Sequence, residues 1–553
     1  MPRDLQADQQ MLRQVLALAE RRDIAAAAAL AAPALAEGFD HPLLLNVVAT
    51  QLEEQGRYPE ALQLLERALR LSPGDLGVRN ALALCLLRLE RPAEALFHFD
   101  ELLKARPDLA FAHANRGNTL IALGELAQAK QSHLRALELE PDNLAAKAAL
   151  AAIASHRGAH DEARGWAREV LKVVPGLPDA VMSLAAAELA SGATDQAQLL
   201  VCQLLADPRA GLPERARAQG MLGDILDAAG QYPQAFEAYM ACNESLRQLH
   251  RRHGEEGNIL GYTRALVAAL DAVPPEAWVQ TRDRARGPEA TVPSEAHLQA
   301  GSGHAFLVGF PRSGTTLLEA VLDGHPRVVS LEEHELLTEG VLHYMREPLD
   351  LAPLLRAGEG ELQALRAAYW RHVAAAGVDP RGKVFVDKYP LNTLKLPLIA
   401  RLFPEAKILF ACRDPRDVVL GCFRRRFTMN TAMYQLLTLP GAAAFYDATL
   451  QLAELARPRL GMAWKVVRYE SLVDDLAAQL QDIAAFLGLE AVTGLEDFAA
   501  RIQARERATP STAQLAQGLN RSGVGHWRHY RAELAPILPQ LAPWVERLGY
   551  AKE

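Results

Sequence analysis

Pro73, Pro107, Pro141 and Pro175 stand at a constant step of 34 residues, and Ala61, Ala95, Ala129, Ala163 and Ala197 keep the same step. Gly56, Gly124, Gly158 and Gly192 each lie five residues before one of those alanines. Three residue types holding one period leave little freedom of fold. Glycine tolerates the turn that ends one helix, a small alanine lets the next helix cross it closely, and proline stops that helix before the next unit begins. A single pair cannot bury its apolar face, so neighbouring pairs must stack and share a continuous core. A further unit, GDILDAAGQYPQAFEAY, carries Gly223, Gly230, Tyr232, Ala235 and Tyr239 out of step, after an insertion.

This pattern resembles the tetratricopeptide repeat and spans residues 42–245, with residues 1–41 expected to form degenerate capping helices. The resemblance implies an all-α superhelix whose concave face takes a peptide or protein partner. A purely structural or dimerising appendage is the competing expectation. Aromatics make up only 6% of the chain, in keeping with a large alanine- and leucine-rich helical portion. The formal net charge of −8 argues against general binding to nucleic acid or anionic membranes, though not against a local basic pocket. Cys85, Cys202, Cys242, Cys412 and Cys422 form no CxxC pair and resemble neither a disulfide framework nor a zinc site. The N-terminus has no apolar signal core, and no apolar run reaches the roughly 18–20 residues that span a bilayer. A reducing, cytoplasmic setting is expected.

Residues 246–302 read as a helical stretch and a Pro-, Gly- and charge-rich connection, after which residues 303–553 change character. The apolar run AFLVGF suits a buried parallel strand; PRSGTT and the helical LLEAVLDGH follow it. Strand, glycine-containing loop and helix make the frame of a phosphate-binding loop. Gly309 to Thr316 fits the GxxxxG spacing of a nucleotide triphosphatase loop, but Thr315 stands where its lysine belongs. ATP or GTP hydrolysis is therefore disfavoured. The loop offers Arg312, Ser313, two threonine hydroxyls and backbone N–H groups, a donor set for an anionic group on a nucleotide.

From PRSGTT onward the chain resembles sulfotransferases that use 3′-phosphoadenosine-5′-phosphosulfate (PAPS), in particular the tyrosylprotein branch and its bacterial relatives with tetratricopeptide repeats. The resemblance implies an α/β domain with a mainly parallel sheet. It implies that Arg312, Ser313, Gly314, Thr315 and Thr316 grip the 5′-phosphosulfate. In HPRVVSLEEHELL the spacing from the loop implies Glu333 as the base that takes the acceptor's proton, with the adjacent His334 as runner-up. In KVFVDKYP, the DKxP match implies that Lys388 stabilises charge on the bridging oxygen of the phosphosulfate. In AKILFACRDPRDVVLGCF, Arg413 and a serine eight residues later hold the 3′-phosphate in the family. That second position is Gly421 here, so one donor is missing, and Cys422 is at best a weak one. Asp414 and Arg416 read as a helix-capping pair. Tyr469 is implied beside the adenine, Ser511 in a nucleotide-contacting stretch, and His526 in the closing loop NRSGVGHW, where the tyrosylprotein enzymes have lysine. Arg521 could compensate there.

The resemblance implies the expected reaction: transfer of a sulfuryl group from PAPS to an acceptor hydroxyl, with a peptide tyrosine as one candidate acceptor, release of 3′,5′-adenosine diphosphate and no metal. A saccharide or small-molecule hydroxyl stays open as acceptor. Two rivals come from other classes. A P-loop kinase or hydrolase is opposed by the missing lysine. A repeat scaffold with a catalytically dead domain is favoured by Gly421 and His526 and opposed by Arg312, Glu333, Lys388 and Arg413.

Overall fold

The computed structural model describes residues 5–285, 303–347, 349–490, 495, 498, 521 and 523–551. The chain divides into two compact units, one reaching to Ala187 and one beginning at Glu188. The expected border between residues 245 and 246 therefore falls inside the second unit.

In the first unit helices pair antiparallel, as in Pro42–Glu54 with Tyr58–Leu71 and Ala110–Ala122 with Leu126–Leu139. Ala61, Ala95, Ala129 and Ala163 are fully buried, as close helix crossing requires. Ala27, one period earlier, is fully buried too, on the helix Ile24–Ala36. The first helix pair is thus a repeat in register, hidden in the sequence by its run of alanines.

The turn between the helices of a pair explains the glycines. Gly56, Gly124, Gly158 and Gly192 have φ between 72° and 82°, a left-handed backbone that costs glycine least. Arg22 (φ 60°) and Glu90 (φ 58°) fill the same position in the two repeats that lack the glycine. A side chain there is strained by about 1 kcal/mol. Glu90→Gly is accordingly expected to raise the melting temperature of the repeats by a few degrees, measured by calorimetry.

The second unit holds the out-of-step pair, Leu212–Ala228 with Tyr232–Leu249. Its first helix has 17 residues, whereas the first helices of the five repeats before it, between Pro42 and Ala190, have 13. The insertion is about one helical turn, so the packing face is preserved.

The sheet has five parallel strands, β1 (Gly303–Gly309), β2 (Val328–Glu332), β3 (Val384–Lys388), β4 (Lys407–Cys412) and β5 (Ala463–Arg468), in the order β2-β3-β1-β4-β5. Phe306, Val308, Phe385, Ile408 and Phe410 point into one core. Ala305, Leu307, Val386, Leu409 and Ala411, alternating with them, point into the other. Both faces are covered, as a parallel sheet requires. From the C-terminal ends of the neighbours β1 and β4 the chain departs in opposite directions, to β2 and to β5. That divergence opens the crevice in which such sheets place their ligands.

Candidate active site

Each strand delivers a residue singled out from the sequence to that C-terminal edge. β1 ends at Gly309 and turns through the loop into the helix Thr315–Leu322. The Gly309 N–H donates to Thr393 Oγ1 (3.0 Å), and that hydroxyl donates to the Gly309 carbonyl (2.8 Å), tying the loop's origin to the segment after Lys388. Gly314 caps the helix with φ 96°, and a Cβ there would lie 2.6 Å from Tyr469 Cδ2. Glycine is thus needed both for the backbone and for the approach of that ring. Ser313 and Thr315 are buried, whereas Arg312, Gly314 and Thr316 are half-buried.

β4 delivers Arg413. Its guanidinium lies 4.6 Å from the centre of the Tyr469 ring, donates to the Arg312 carbonyl at 3.4 Å and also donates to the Gly523 carbonyl. Arg312, Gly314, Arg413 and Tyr469 are thereby brought together across the β1–β4 crevice. Gly421 belongs to the same place: a Cβ added there would sit 3.5 Å from Arg312 Cβ, an ordinary contact. A further cation, Arg425, was missed in the sequence among three consecutive arginines. Burial, helped by Arg312 and Arg426, pulls its pKa down to about 9. Arg312 is lowered as well, by burial and then by Arg413. Half-buried arginines that repel one another suit an anion between them, and the Arg413 Nε has no hydrogen-bond partner among the described residues.

On the other side of β1, Lys388 ends β3 in register with Leu307 and Glu332. It has no exposed surface. Its ammonium donates to Glu332 Oε1 at 2.7 Å and to Glu333 Oε1 at 2.9 Å. Burial alone would lower its pKa; Glu332, Glu333 and the buried Glu319 outweigh burial and raise it. Glu319 was not foreseen, because its place on the loop helix reads as ordinary helix sequence. Glu333 is held at φ 50° by its N–H, which donates to the Lys388 carbonyl at 2.7 Å, and its carboxylate stays 43% exposed. A base that must meet a substrate needs such access. His334 turns its Nδ1 to the Glu332 carbonyl at 2.7 Å.

The C-terminal segment is anchored rather than open. Asp417 accepts the Gly525 N–H at 2.7 Å and the Trp527 N–H at 2.8 Å. Asp414 caps the helix Pro415–Phe423 and pairs with Arg416 at 2.7 Å, the structural role expected of both; Arg416 also lies 3.9 Å above the Trp527 ring. His526 meets Asp227 Oδ1 at 2.8 Å, so the ring expected at the nucleotide is engaged with the last repeat hairpin. Arg521 pairs with Asp474 at 3.2 Å. Ser511 lies outside the described residues.

Hydroxyls, arginines, backbone amides at a helix start and one enclosed lysine form a donor set for phosphate and sulfate groups. Among the described residues no group of three or more His, Cys, Asp or Glu is placed to hold a metal ion, and no helix is long and apolar enough to cross a membrane. Such a site at the C-terminal edge of a five-stranded parallel sheet fits an anion-binding α/β domain.

The sequence comparisons specify which one. Residues 305–493 match the sulfotransferase family, and residues 12–75, 52–115 and 115–180 match tetratricopeptide repeats. The chain is a tetratricopeptide-repeat protein carrying a sulfotransferase-family domain. An uncharacterised protein of Aquifex aeolicus is 24% identical over 64% of this chain and 45% of its own length. Protein-tyrosine sulfotransferase 2 of Gallus gallus is 27% identical over 44% of this chain and 68% of its own. The nodulation protein NoeE of Sinorhizobium fredii is 30% identical over 34% and 50%. The chain thus spans about half the length of the first and third of these relatives.

Proposed function

We propose that the domain transfers a sulfuryl group from PAPS to an acceptor hydroxyl, with a peptide tyrosine as the first acceptor class to test. The observation that carries this reading is Lys388: an ammonium wholly enclosed at the sheet edge, within hydrogen-bonding reach of a half-exposed carboxylate and beside the anion loop. PAPS supplies an activated sulfur with a phosphate leaving group. The chain's own residues do the rest. Glu333 takes the proton of the acceptor hydroxyl as that oxygen bonds to sulfur. Lys388, released from Glu333 as the base gains its proton, offsets the charge left on the departing phosphate oxygen. Arg312 and the loop amides hold the transferring group; Arg413 and Arg425 hold the 3′-phosphate; Tyr469 stands against the base. The names of the avian relative and its counterparts in Drosophila melanogaster and Caenorhabditis elegans favour tyrosine. The repeats would present a peptide or protein partner.

Gly421 favours a second reading, a scaffold whose domain no longer turns over. Calorimetric titration with 3′,5′-adenosine diphosphate, ADP and ATP decides between them. Clear preference for the 3′-phosphorylated nucleotide, followed by transfer of labelled sulfate from PAPS to tyrosine peptides, supports the enzyme. Equal or absent binding favours the scaffold, and tight binding of ATP alone overturns the donor assignment. Because a side chain at 421 has room beside Arg312, Gly421→Ser is expected to tighten 3′,5′-adenosine diphosphate binding about ten- to a hundredfold, the effect of one hydrogen bond to a charged group. The same titration reads it.

A further inference from the structure

Asp227 belongs to the repeat pattern, on the helix Leu212–Ala228, yet among the described residues the partners of its carboxylate lie in the sulfotransferase half of the second unit. Oδ1 accepts from His526 Nε2 at 2.8 Å and from the Tyr530 hydroxyl; Oδ2 accepts from Arg424 at 2.7 Å. Burial alone would raise its pKa, but His526, Arg424 and Tyr530 outweigh burial and lower it. Contacts around it fix the hairpin in place. Tyr232 stacks on His529 with ring centres 4.2 Å apart, and Asn243 donates to the Phe423 carbonyl at 2.9 Å.

The segment that Asp227 grips through His526 is the one that Arg413 and Asp417 grip on either side, through the Gly523 carbonyl and the Gly525 and Trp527 N–H groups. Two of the three anchors come from the α/β domain and the third from the repeat hairpin. Released from Asp227, the segment would carry the Gly523 carbonyl away from Arg413 and leave that guanidinium free to swing from the crevice. The geometry points to Asp227 as a positioning residue for donor binding: the last repeat completes the nucleotide site by fixing the C-terminal loop over it. The inference rests on the PAPS reading of that site. It also gives the histidine at 526 a reason, since an imidazole reaches this carboxylate with a ring that packs against Tyr232.

The test compares Asp227→Asn and Tyr530→Phe with Asp224→Asn in the full chain. Asp224 makes an equivalent pair with Arg426 at 2.6 Å from the same hairpin but does not touch the loop. Calorimetry with 3′,5′-adenosine diphosphate reads affinity and stoichiometry, and hydrogen exchange without nucleotide reads the loop amides from Gly523 to Trp527. Asp227→Asn should weaken binding about tenfold at unchanged stoichiometry and speed exchange in the loop. Tyr530→Phe should do the same two- to threefold, and Asp224→Asn should do neither. A fall in stoichiometry at constant affinity marks a merely structural role and overturns the proposal. So does loop exchange unchanged in Asp227→Asn, or an equal effect from Asp224→Asn. Failure of the unmutated protein to bind the nucleotide overturns the donor reading and with it a donor role for Asp227; loop exchange then reports only whether Asp227 anchors the segment.

Discussion

Lys388→Ala is expected to lower sulfuryl transfer by about 10²–10³-fold, the usual loss when one preorganised donor is removed from a developing charge. The effect is large because, among the described residues, Lys388 is the cation in contact with Glu332 and Glu333, and Lys395 is occupied by Glu335 at 2.6 Å. A structural cost accompanies it. Without the ammonium, Glu332, Glu333 and Glu319 face one another near the sheet edge, and stranding a buried charge in this way typically costs about 3 kcal/mol or more. Turnover therefore has to be measured on folded, nucleotide-binding protein, by labelled sulfate transfer normalised to calorimetric stoichiometry. Turnover within tenfold of the unmutated protein would remove Lys388 from the mechanism.

Glu333→Gln is the second large expectation. Losing a general base costs about 10²–10⁴-fold, whereas glutamine keeps the volume and one hydrogen-bond acceptor for Lys388. Affinity for 3′,5′-adenosine diphosphate should stay within about twofold, since Glu333 stands on the opposite side of β1 from Arg413. Glu332→Gln makes the necessary comparison: its side chain is 19% exposed, against 43% for Glu333, and should matter less to an incoming acceptor. A larger loss from Glu332→Gln would exchange the two roles.

The repeats were legible because their constraint is local and periodic: a turn that wants glycine and a crossing that wants alanine recur at one spacing. The same constraint went unread in the first pair, where Ala27 is one alanine among many and Arg22 takes the turn without a glycine. The sheet and its loop were legible because a doubly covered parallel strand is a continuous apolar run that leads into the residues of the candidate site. Residues that act through distant partners left no such trace. Asp417 holds amides 108 and 110 residues away, and Asp227 meets His526 across 299 residues. Arg425 is one of three adjacent arginines whose fates differ: Arg424 pairs with Asp227, Arg426 with Asp224, and Arg425 lies under the influence of Arg312. Only the packing of the last repeat hairpin tells them apart.

Arg312 and Glu333 both hold left-handed backbone, at φ 69° and 50°, without being glycine. Such strain costs about 1–3 kcal/mol and persists where surroundings enforce it. A library selected in the laboratory for heat resistance alone would feel that strain directly. Glycine at either position relaxes the backbone, and at 312 it also removes a charge that Arg413 and Arg425 repel. Such a selection would drift toward well-folded survivors stripped of the arginine and the carboxylate that the proposed transfer requires.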